Sequence, residues 1–290
     1  PRPAPGCAAG PSAGPSLGPS PSLAPGCAVG LSAGPSAGPS SGPSPHGPAG
    51  PDPAPSPGRP LPPVRALLFD KDGTLFGFQA TWGGWTAGVI AGLAPDDPRR
   101  RARLAEAVGF DAGARRFRPE SPVIAGTLDE LMSLWLPLLP GWDAPRLTAH
   151  LIDESRTVQP VEAVPLAPLL ARLSQAGLAL GVATNDAEEP ARVQLDVAGV
   201  GGAFCFVAGA DSGHGAKPGP GQCLAFASHA GLAPSQIAMV GDTTHDLAAG
   251  RAAGMLRIAV LTGVAREEDL AAEADVVLPD IGHLPDWLGL

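Results

Sequence analysis

An apolar run that ends abruptly on two carboxylates is the feature that most constrains this chain. Residues 64–76 read Val-Arg-Ala-Leu-Leu-Phe-Asp-Lys-Asp-Gly-Thr-Leu-Phe. Residues 66–69 are typical of a strand covered on both faces, as in a parallel α/β sheet. Ligands of such sheets lie beyond the carboxyl ends of the strands, so Asp70 and Asp72 form a candidate site. On this stretch alone, an Asp72-Gly73 turn with Asp70 as a cap explains the residues equally well.

The first 63 residues have a different composition from the rest of the chain. They are almost wholly Pro, Gly, Ser and Ala, which cannot build a hydrophobic core. We therefore expect a disordered, partly polyproline-like tail over residues 1–63. The segment also lacks the basic start and apolar centre of a secretory signal.

The bulk composition argues against several classes of protein. The net charge is −9, and residues 64–290 alone carry −10, which argues against nucleic-acid binding through a basic face. The sequence has no uncharged apolar run long enough to suggest a membrane span. Four cysteines without a Cys-x-x-Cys pair favour neither a disulfide framework nor a zinc site, and a cytoplasmic location fits. Among nineteen basic residues only Lys71 and Lys217 are lysines, which favours a need for a compact ammonium there.

Residues 80–158 have helical patterns. Apolar residues recur at helical spacing over 82–93, a second helix is expected over 98–108, Thr127 and Glu130 form a capping box, and a further helix begins after Asp143. Residues 109–126 are expected to be a loop.

Two groups of side chains in this helical block have open interpretations. The arginines within 99–103 and 115–118 face either an anionic substrate or water. Trp82 and Trp85 either line a pocket or, as their size and spacing favour, fill the core of the block.

From Leu166 onward, strands and helices alternate. Helices are expected near 166–174, 188–198, 222–231 and 246–253, and strands near 178–183, 204–208, 237–240 and 257–261. This alternation predicts a doubly wound parallel sheet of the α/β class. The preceding helical block is then an insertion. We expect a catalytic core of residues 64–79 and 159–290 with an all-helical cap of residues 80–158.

Polar groups of specific kinds follow the predicted strands. Thr184-Asn185-Asp186 follows one strand, Lys217-Pro218 precedes a helix, and Asp242-Thr-Thr-His-Asp246 follows another strand. With Asp70 and Asp72, this set resembles the four motifs of the haloacid dehalogenase-like phosphohydrolase superfamily in order and approximate spacing. The resemblance covers residues 64 to about 280. It extends to the phosphoglycolate phosphatase-like members, which have a helical cap between the first and second motifs.

The resemblance implies a reaction and a role for each residue. Asp70 would be the nucleophile that forms an aspartyl-phosphate, and Asp72 the general acid and base. The implied phosphate-binding residues are Thr184, Asn185, Lys217, Gly73 and Thr74. The implied ligands of Mg²⁺ are Asp70, Asp72 through its carbonyl, Asp242 and Asp246. The expected substrate is a small phosphorylated metabolite, a phosphoglycolate-like compound or a sugar phosphate, with phosphoglycolate as the best single expectation.

Some polar side chains of these motifs also suit purely structural roles. Asp186 with Glu189, and Asp246 with Thr243 or Thr244, fit helix caps. His245 either contacts the substrate or lies outside the site. A phosphomutase, and a non-catalytic protein that binds phosphate or a partner, are the alternative functions.

Overall fold

The computed structural model describes residues 64–290, and the disordered tail expected over residues 1–63 lies outside the described residues. The strands in chain order are β1 (Ala66–Phe69), β2 (Phe110–Asp111), β3 (Arg116–Phe117), β4 (Ala179–Ala183), β5 (Phe206–Ala208), β6 (Ile237–Gly241), β7 (Leu256–Val260) and β8 (Val276–Leu278). The helices are α1 (Phe78–Leu93), α2 (Pro98–Ala107), α3 (Leu128–Trp135), α4 (Ala144–Ser155), α5 (Leu166–Gln175), α6 (Glu188–Val197), α7 (Gly221–Ala230), α8 (Thr244–Ala253), α9 (Glu267–Leu270) and α10 (Leu284–Leu288).

Strand β1 lies at the centre of a six-stranded parallel sheet. The strand order is β5, β4, β1, β6, β7, β8, and Ala66 pairs with Ala179 on one side and with Ile237 on the other. All four residues of β1 are fully buried, which explains why its sequence is a continuous apolar run. The predicted α/β class with a doubly wound parallel sheet is confirmed.

Helices cover both faces of this sheet. On one face, Leu170 of α5 and Leu195 of α6 pack in the same hydrophobic cluster as Phe69. On the other face, Phe226 of α7 packs with Leu68. The expected core elements match the observed ones to within about two residues at each end. No prediction covered β8, α9 or α10, because segments of three to five residues are too short to show a period.

Residues 78–158, which we call the insert, build a separate hydrophobic cluster. Its centre contains Leu104, Trp135, Leu147 and Leu151, all almost completely buried. The predicted capping box is confirmed, because the Thr127 hydroxyl accepts from Glu130 N and the Glu130 carboxylate accepts from Thr127 N. The insert is largely helical, as expected.

The insert also contains a short antiparallel pairing where the sequence suggested a loop. Phe110 of β2 pairs with Phe117 of β3. The turn between them forms because the Asp111 carboxylate accepts hydrogen bonds from Gly113 N and Ala114 N, and Arg115 adopts a φ of 53°. Two residues per strand are too few to show alternation.

The two connections between insert and core lie side by side. Gly77 N donates to the Val161 carbonyl at 2.8 Å, and Val161 N donates to the Thr81 hydroxyl at 3.0 Å. Ala163 N donates to the Leu75 carbonyl at 2.9 Å. The insert is therefore attached just beyond the carboxyl end of β1. Within residues 64–290, none of the helices combines the length and apolar character needed to cross a membrane.

Replacing Leu68 tests the importance of the central strand. Leu68→Ala leaves a cavity between β1 and α7, so we expect it to lower the free energy of unfolding by about 2–5 kcal/mol. The exposed Leu224→Ala is the matched control, and it should change stability by no more than about 0.5 kcal/mol. Denaturant titration measures both values, and equal effects in the two variants would contradict the assignment.

Candidate active site

Three buried carboxylates meet at the carboxyl ends of β1 and β6. One oxygen from each of Asp70, Asp242 and Asp246 lies within 4.8 Å of the other two. Asp70 directly follows β1 and Asp242 directly follows β6, and these strands are hydrogen-bonded neighbours. The structure thus brings together side chains that the sequence separates by more than 170 residues.

Lys217 supplies a positive charge to this cluster. Its Nζ lies 2.6 Å from Asp70 Oδ1 and 2.6 Å from Asp246 Oδ1, and its side chain is almost completely buried. Asn185 fixes the backbone of Lys217, because its side-chain amide donates to the Lys217 carbonyl and accepts from Lys217 N. The Asn185 side chain, expected among the phosphate-binding residues, therefore positions Lys217.

Asp246 combines two roles that the sequence presented as alternatives. Its Oδ2 accepts from Thr243 N at 3.0 Å and from the Thr243 hydroxyl at 2.7 Å, which caps α8. Its Oδ1 accepts from Lys217. The helix cap holds the carboxylate in place for the ion pair.

The second lysine, Lys71, bridges another pair of carboxylates. Its side chain is fully buried, and its Nζ lies 2.6 Å from Asp72 Oδ2 and 3.3 Å from Asp186 Oδ2. It also donates to Gln194 Oε1 at 2.6 Å. On the other side, the Trp82 indole N–H donates to Asp72 Oδ1 at 2.7 Å. Both oxygens of Asp72 therefore face donors, one from its chain neighbour and one from the insert.

The interpretation of Asp186 and Glu189 as a helix cap was wrong. Helix α6 begins at Glu188 after Ala187, and its first N–H, on Glu188, donates to the Asp211 carboxylate at 2.8 Å. Asp186 lies beside Lys71 instead, and Glu189 pairs with Arg156 at 2.7 Å. The scarcity of lysine in the sequence pointed to Lys71, but nothing in the sequence identified Asp186 or Gln194 as its partners.

The geometry around Asp242 fits a bound divalent cation. Asp242 Oδ1 accepts from the Thr74 hydroxyl at 3.2 Å, whereas Oδ2 is buried without a hydrogen-bond partner. An orphaned buried carboxylate oxygen is costly. Three carboxylates and one lysine leave a net charge of −2, which a divalent cation with oxygen ligands neutralises.

Two glycines crowd Asp242. A Cβ on Gly73, whose φ is +91°, would lie 2.2 Å from Asp242 Oδ2, and a Cβ on Gly263 would lie 1.7 Å from the same atom. The Thr262 hydroxyl donates to the Gly73 carbonyl at 2.6 Å and holds these loops together. The structure therefore places Gly73 and Thr74, which were expected at the phosphate, against Asp242.

The electrostatics of the cluster follow from its burial. Burial raises the pKa of Asp70 from 3.8 to about 7, against the opposing charge of Lys217. Burial and the charges of Asp70 and Asp246 raise the pKa of Asp242 well above its usual value. For Lys217, burial acts to lower the pKa, but Asp246 and Asp70 raise it overall. The lysine therefore stays charged at neutral pH.

A cavity of about 130 Å³ lies between the core and the insert. On the core side its lining includes Asp70, Asp72, Thr184, Lys217 and His245. Thr184 follows β4, the other neighbour of β1, so the cavity reaches the carboxyl ends of three adjacent strands. Four of these five residues were predicted site residues.

The insert forms the opposite wall of this cavity. Trp82 and Trp85 line it, and both also pack in the hydrophobic cluster of the insert, so the predicted core packing is confirmed and the alternative of a cavity wall holds as well. The loop before α3 contacts the core directly. Asn185 Nδ2 donates to the Ala125 carbonyl at 2.8 Å, and His245 Nδ1 lies 3.3 Å from the same oxygen.

Comparison with known proteins identifies the class of this protein. The family model of the haloacid dehalogenase-like hydrolases matches residues 64–254. The chain belongs to this family, and the resemblance inferred from its motifs is confirmed.

Relatives and solved structures agree with this assignment. A phosphoglycolate phosphatase of Rhodospirillum rubrum is 32% identical over 227 residues, covering 78% of this chain and 91% of the relative. An N-acetylmuramic acid 6-phosphate phosphatase of Pseudomonas aeruginosa is 29% identical over 238 residues, covering 78% of this chain and 95% of the relative. The crystal structure of a family hydrolase from Deinococcus radiodurans, with bound phosphate and sodium, has a TM-score of 0.54 and 21% identity. It aligns over 78% of this chain and 96% of the other and supports the fold.

Adding a methyl group beside Asp242 should weaken metal binding. Gly263→Ala places a Cβ where Asp242 Oδ2 now lies, so we expect about a 10- to 100-fold loss of Mg²⁺ affinity through displacement of the carboxylate. Gly202→Ala is the control, because a Cβ there meets no atom within 4 Å. Calorimetric titration with Mg²⁺ measures both, and unchanged affinity in Gly263→Ala would exclude Asp242 as a ligand.

The stabilisation that Mg²⁺ confers should increase with pH. Since burial raises the pKa of Asp70 to about 7, and that of Asp242 above its usual value, the folded metal-free protein binds more protons than the unfolded chain above about pH 4. As the pH rises from about 4 to about 7, the ionisation of these two carboxylates therefore lowers the free energy of unfolding of the metal-free protein. A bound cation offsets this loss.

Thermal unfolding with and without saturating Mg²⁺ tests this pH dependence. The rise in Tm on adding Mg²⁺ should be larger at about pH 8 than at about pH 5. At each pH, the carboxylates elsewhere in the chain affect Tm equally with and without Mg²⁺. The difference in Tm therefore reports the metal site. A rise that is equal at both pH values, or larger at the lower one, would contradict the cluster as the metal site.

Proposed function

We propose that this protein is a Mg²⁺-dependent phosphatase that hydrolyses a small phosphomonoester through an aspartyl-phosphate on Asp70. The observation that carries the proposal is the position of Asp70. It lies at the carboxyl end of the central strand, 2.6 Å from the Lys217 ammonium, beside Asp242 and on the wall of the cavity. A nucleophile that attacks a phosphate dianion needs such neighbouring positive charge.

The proposed reaction proceeds in two displacements. In the first, an Asp70 carboxylate oxygen attacks phosphorus, the bond to the ester oxygen breaks, and Asp72 gives its proton to the leaving alcohol. In the second, Asp72 takes a proton from water, which attacks phosphorus and releases phosphate and Asp70. Lys217 and the Thr184 hydroxyl bind the phosphoryl oxygens. Asp70, the Asp72 carbonyl, Asp242 and Asp246 would hold Mg²⁺, which would offset the negative charge on these oxygens.

The contacts of Asp72 support its assignment as the mobile proton carrier. Its two oxygens accept from Lys71 and from Trp82, and Asp72 also lines the cavity. To protonate a leaving alcohol, one oxygen must exchange its donor for the substrate. Because Trp82 lies on α1 of the insert, movement of the insert would change the surroundings of Asp72.

We propose that residues 80–158 act as a cap over a core of residues 64–79 and 159–290. The paired connections at Gly77 and Val161, and the contact of Ala125 with Asn185, support a cap that closes over the phosphate and excludes water. A cytoplasmic location is part of the same proposal.

The names of the relatives support a class of substrate. The two described above are named for phosphoglycolate and for N-acetylmuramic acid 6-phosphate, although their identities to this chain are 32% and 29%. Both compounds are phosphomonoesters, so the shared chemistry is the cleavage of a phosphate ester. The two names support a phosphomonoester substrate and do not identify the alcohol that this chain releases.

Substitution of the two aspartates separates their roles. Asp70→Asn should lower kcat at least about 10³-fold on p-nitrophenyl phosphate with Mg²⁺, since the amide does not attack phosphorus. Asp72→Asn should lower kcat about 10²- to 10⁴-fold on an unactivated ester. With p-nitrophenyl phosphate, whose leaving group needs no acid, Asp72→Asn should accumulate phosphoenzyme, detected in the intact protein as the mass of one added phosphoryl group.

The exposed Asp286→Asn is the control for both substitutions and should keep wild-type kcat. Wild-type turnover in Asp70→Asn would exclude Asp70 as the nucleophile. Loss of activity in Asp72→Asn without any phosphoenzyme on the activated ester would assign Asp72 to the first displacement only.

A further inference from the structure

The wall that the insert contributes to the cavity is apolar. It is formed by aromatic and aliphatic side chains that include Phe78, Trp82, Trp85, Phe117, Leu128 and Leu131. These residues lie on α1, β3 and α3, so three separate parts of the insert present apolar surface to the same space. Transfer of an apolar group from water to this wall is favourable in proportion to the apolar area that is buried.

Charged side chains line this cavity only from the core. Among the described residues that line it, the titratable ones are Asp70, Asp72, Asp186, Lys217 and His245. All five belong to the core and none to the insert. The arginines of the insert do not line it. Arg118 pairs with Glu106 at 2.9 Å, and Arg115 and Arg116 are exposed. Within residues 64–290, this wall offers no positively charged side chain to the carboxylate of a substrate.

Two polar side chains of the wall are engaged within the insert, whereas the Thr86 hydroxyl, which also lines the cavity, has no hydrogen bond among the described residues. The Thr127 hydroxyl takes part in the capping box, and the Ser155 hydroxyl donates to the Ile152 carbonyl at 2.8 Å. The Trp85 indole N–H is buried without an acceptor and offers a ligand one hydrogen bond. A carboxylate or a sugar with several hydroxyls would lose more hydrogen bonds to water than these few groups replace.

We infer that the leaving group of the substrate is an uncharged, predominantly apolar alcohol, either aliphatic or aromatic. This inference rests on the proposed phosphatase function and names the substrate class of the same site. The phosphate lies against Lys217 and the carboxylate cluster, and the organic group extends between Trp82, Trp85 and Leu128. Phosphoglycolate, whose leaving group carries a carboxylate, is then a poor substrate.

A series of alkyl phosphates tests the inference on the wild-type enzyme. Ethyl, propyl and butyl phosphate have leaving alcohols of nearly equal acidity, so differences in kcat/KM report burial of the chain. We expect kcat/KM to rise about fourfold per methylene and to be at least about tenfold higher for butyl phosphate than for phosphoglycolate.

The possible results separate this inference from the proposed function. Suppose that p-nitrophenyl phosphate is hydrolysed, but kcat/KM is equal for ethyl, propyl and butyl phosphate or is higher for phosphoglycolate. The inference of an apolar leaving group would then be wrong, and the proposed phosphatase activity would stand. No turnover of any ester in the presence of Mg²⁺ would overturn both.

A charge placed on the wall provides a second test. Leu128→Arg should lower the ratio of kcat/KM for butyl phosphate to that for phosphoglycolate at least about tenfold, because it adds a partner for the carboxylate. The ratio is independent of the folded fraction of the variant. Ser133→Arg, exposed on the same helix, should keep the wild-type ratio. An unchanged ratio in Leu128→Arg would contradict contact between this wall and the leaving group.

Discussion

The structure depends on the way in which buried carboxylates are held together at one edge of the sheet. Three of them are Asp70, Asp242 and Asp246, and the partly buried Asp72 and Asp186 lie in the same region. Two buried lysines each bridge a pair. Lys217 serves Asp70 and Asp246, and Lys71 serves Asp72 and Asp186. Asp242 is left with the Thr74 hydroxyl on one oxygen and nothing on the other, so the point that lacks compensation is where a cation fits.

Asp70 and Asp72 are two positions apart in the sequence, but each pairs with a different lysine. Asp70 belongs to the group formed with Lys217, which faces the metal position. Asp72 belongs to the group formed with Lys71, which contacts the insert through Trp82. Because Asp70 and Asp72 join different networks, the proposed nucleophile and the proposed proton carrier have different surroundings. The second network connects the insert to Asp72, since the Trp82 N–H is supplied by α1.

The sequence allowed prediction of the sheet and of the polar side chains that meet at its carboxyl edge, for a physical reason. Strand β1 is buried on both faces, so it is apolar throughout, and polar side chains such as Thr184 and Asp242 stand out directly after such strands. The partners of Lys71 were not predictable, because Gln194 lies 123 positions away and only the packing of α6 brings it close. The apolar wall was missed for a related reason. A tryptophan at helical spacing looks the same whether it fills a core or lines a cavity.

The stereochemical course at phosphorus tests most directly the claim that Asp70 carries the phosphoryl group. A phosphorothioate ester that is chiral at phosphorus through sulfur and two oxygen isotopes, hydrolysed in water of the third oxygen isotope, gives a thiophosphate product of defined configuration. Each in-line displacement inverts the configuration. The two displacements proposed here therefore predict net retention in the wild-type enzyme with Mg²⁺. Net inversion would show direct attack by water and would contradict the covalent intermediate.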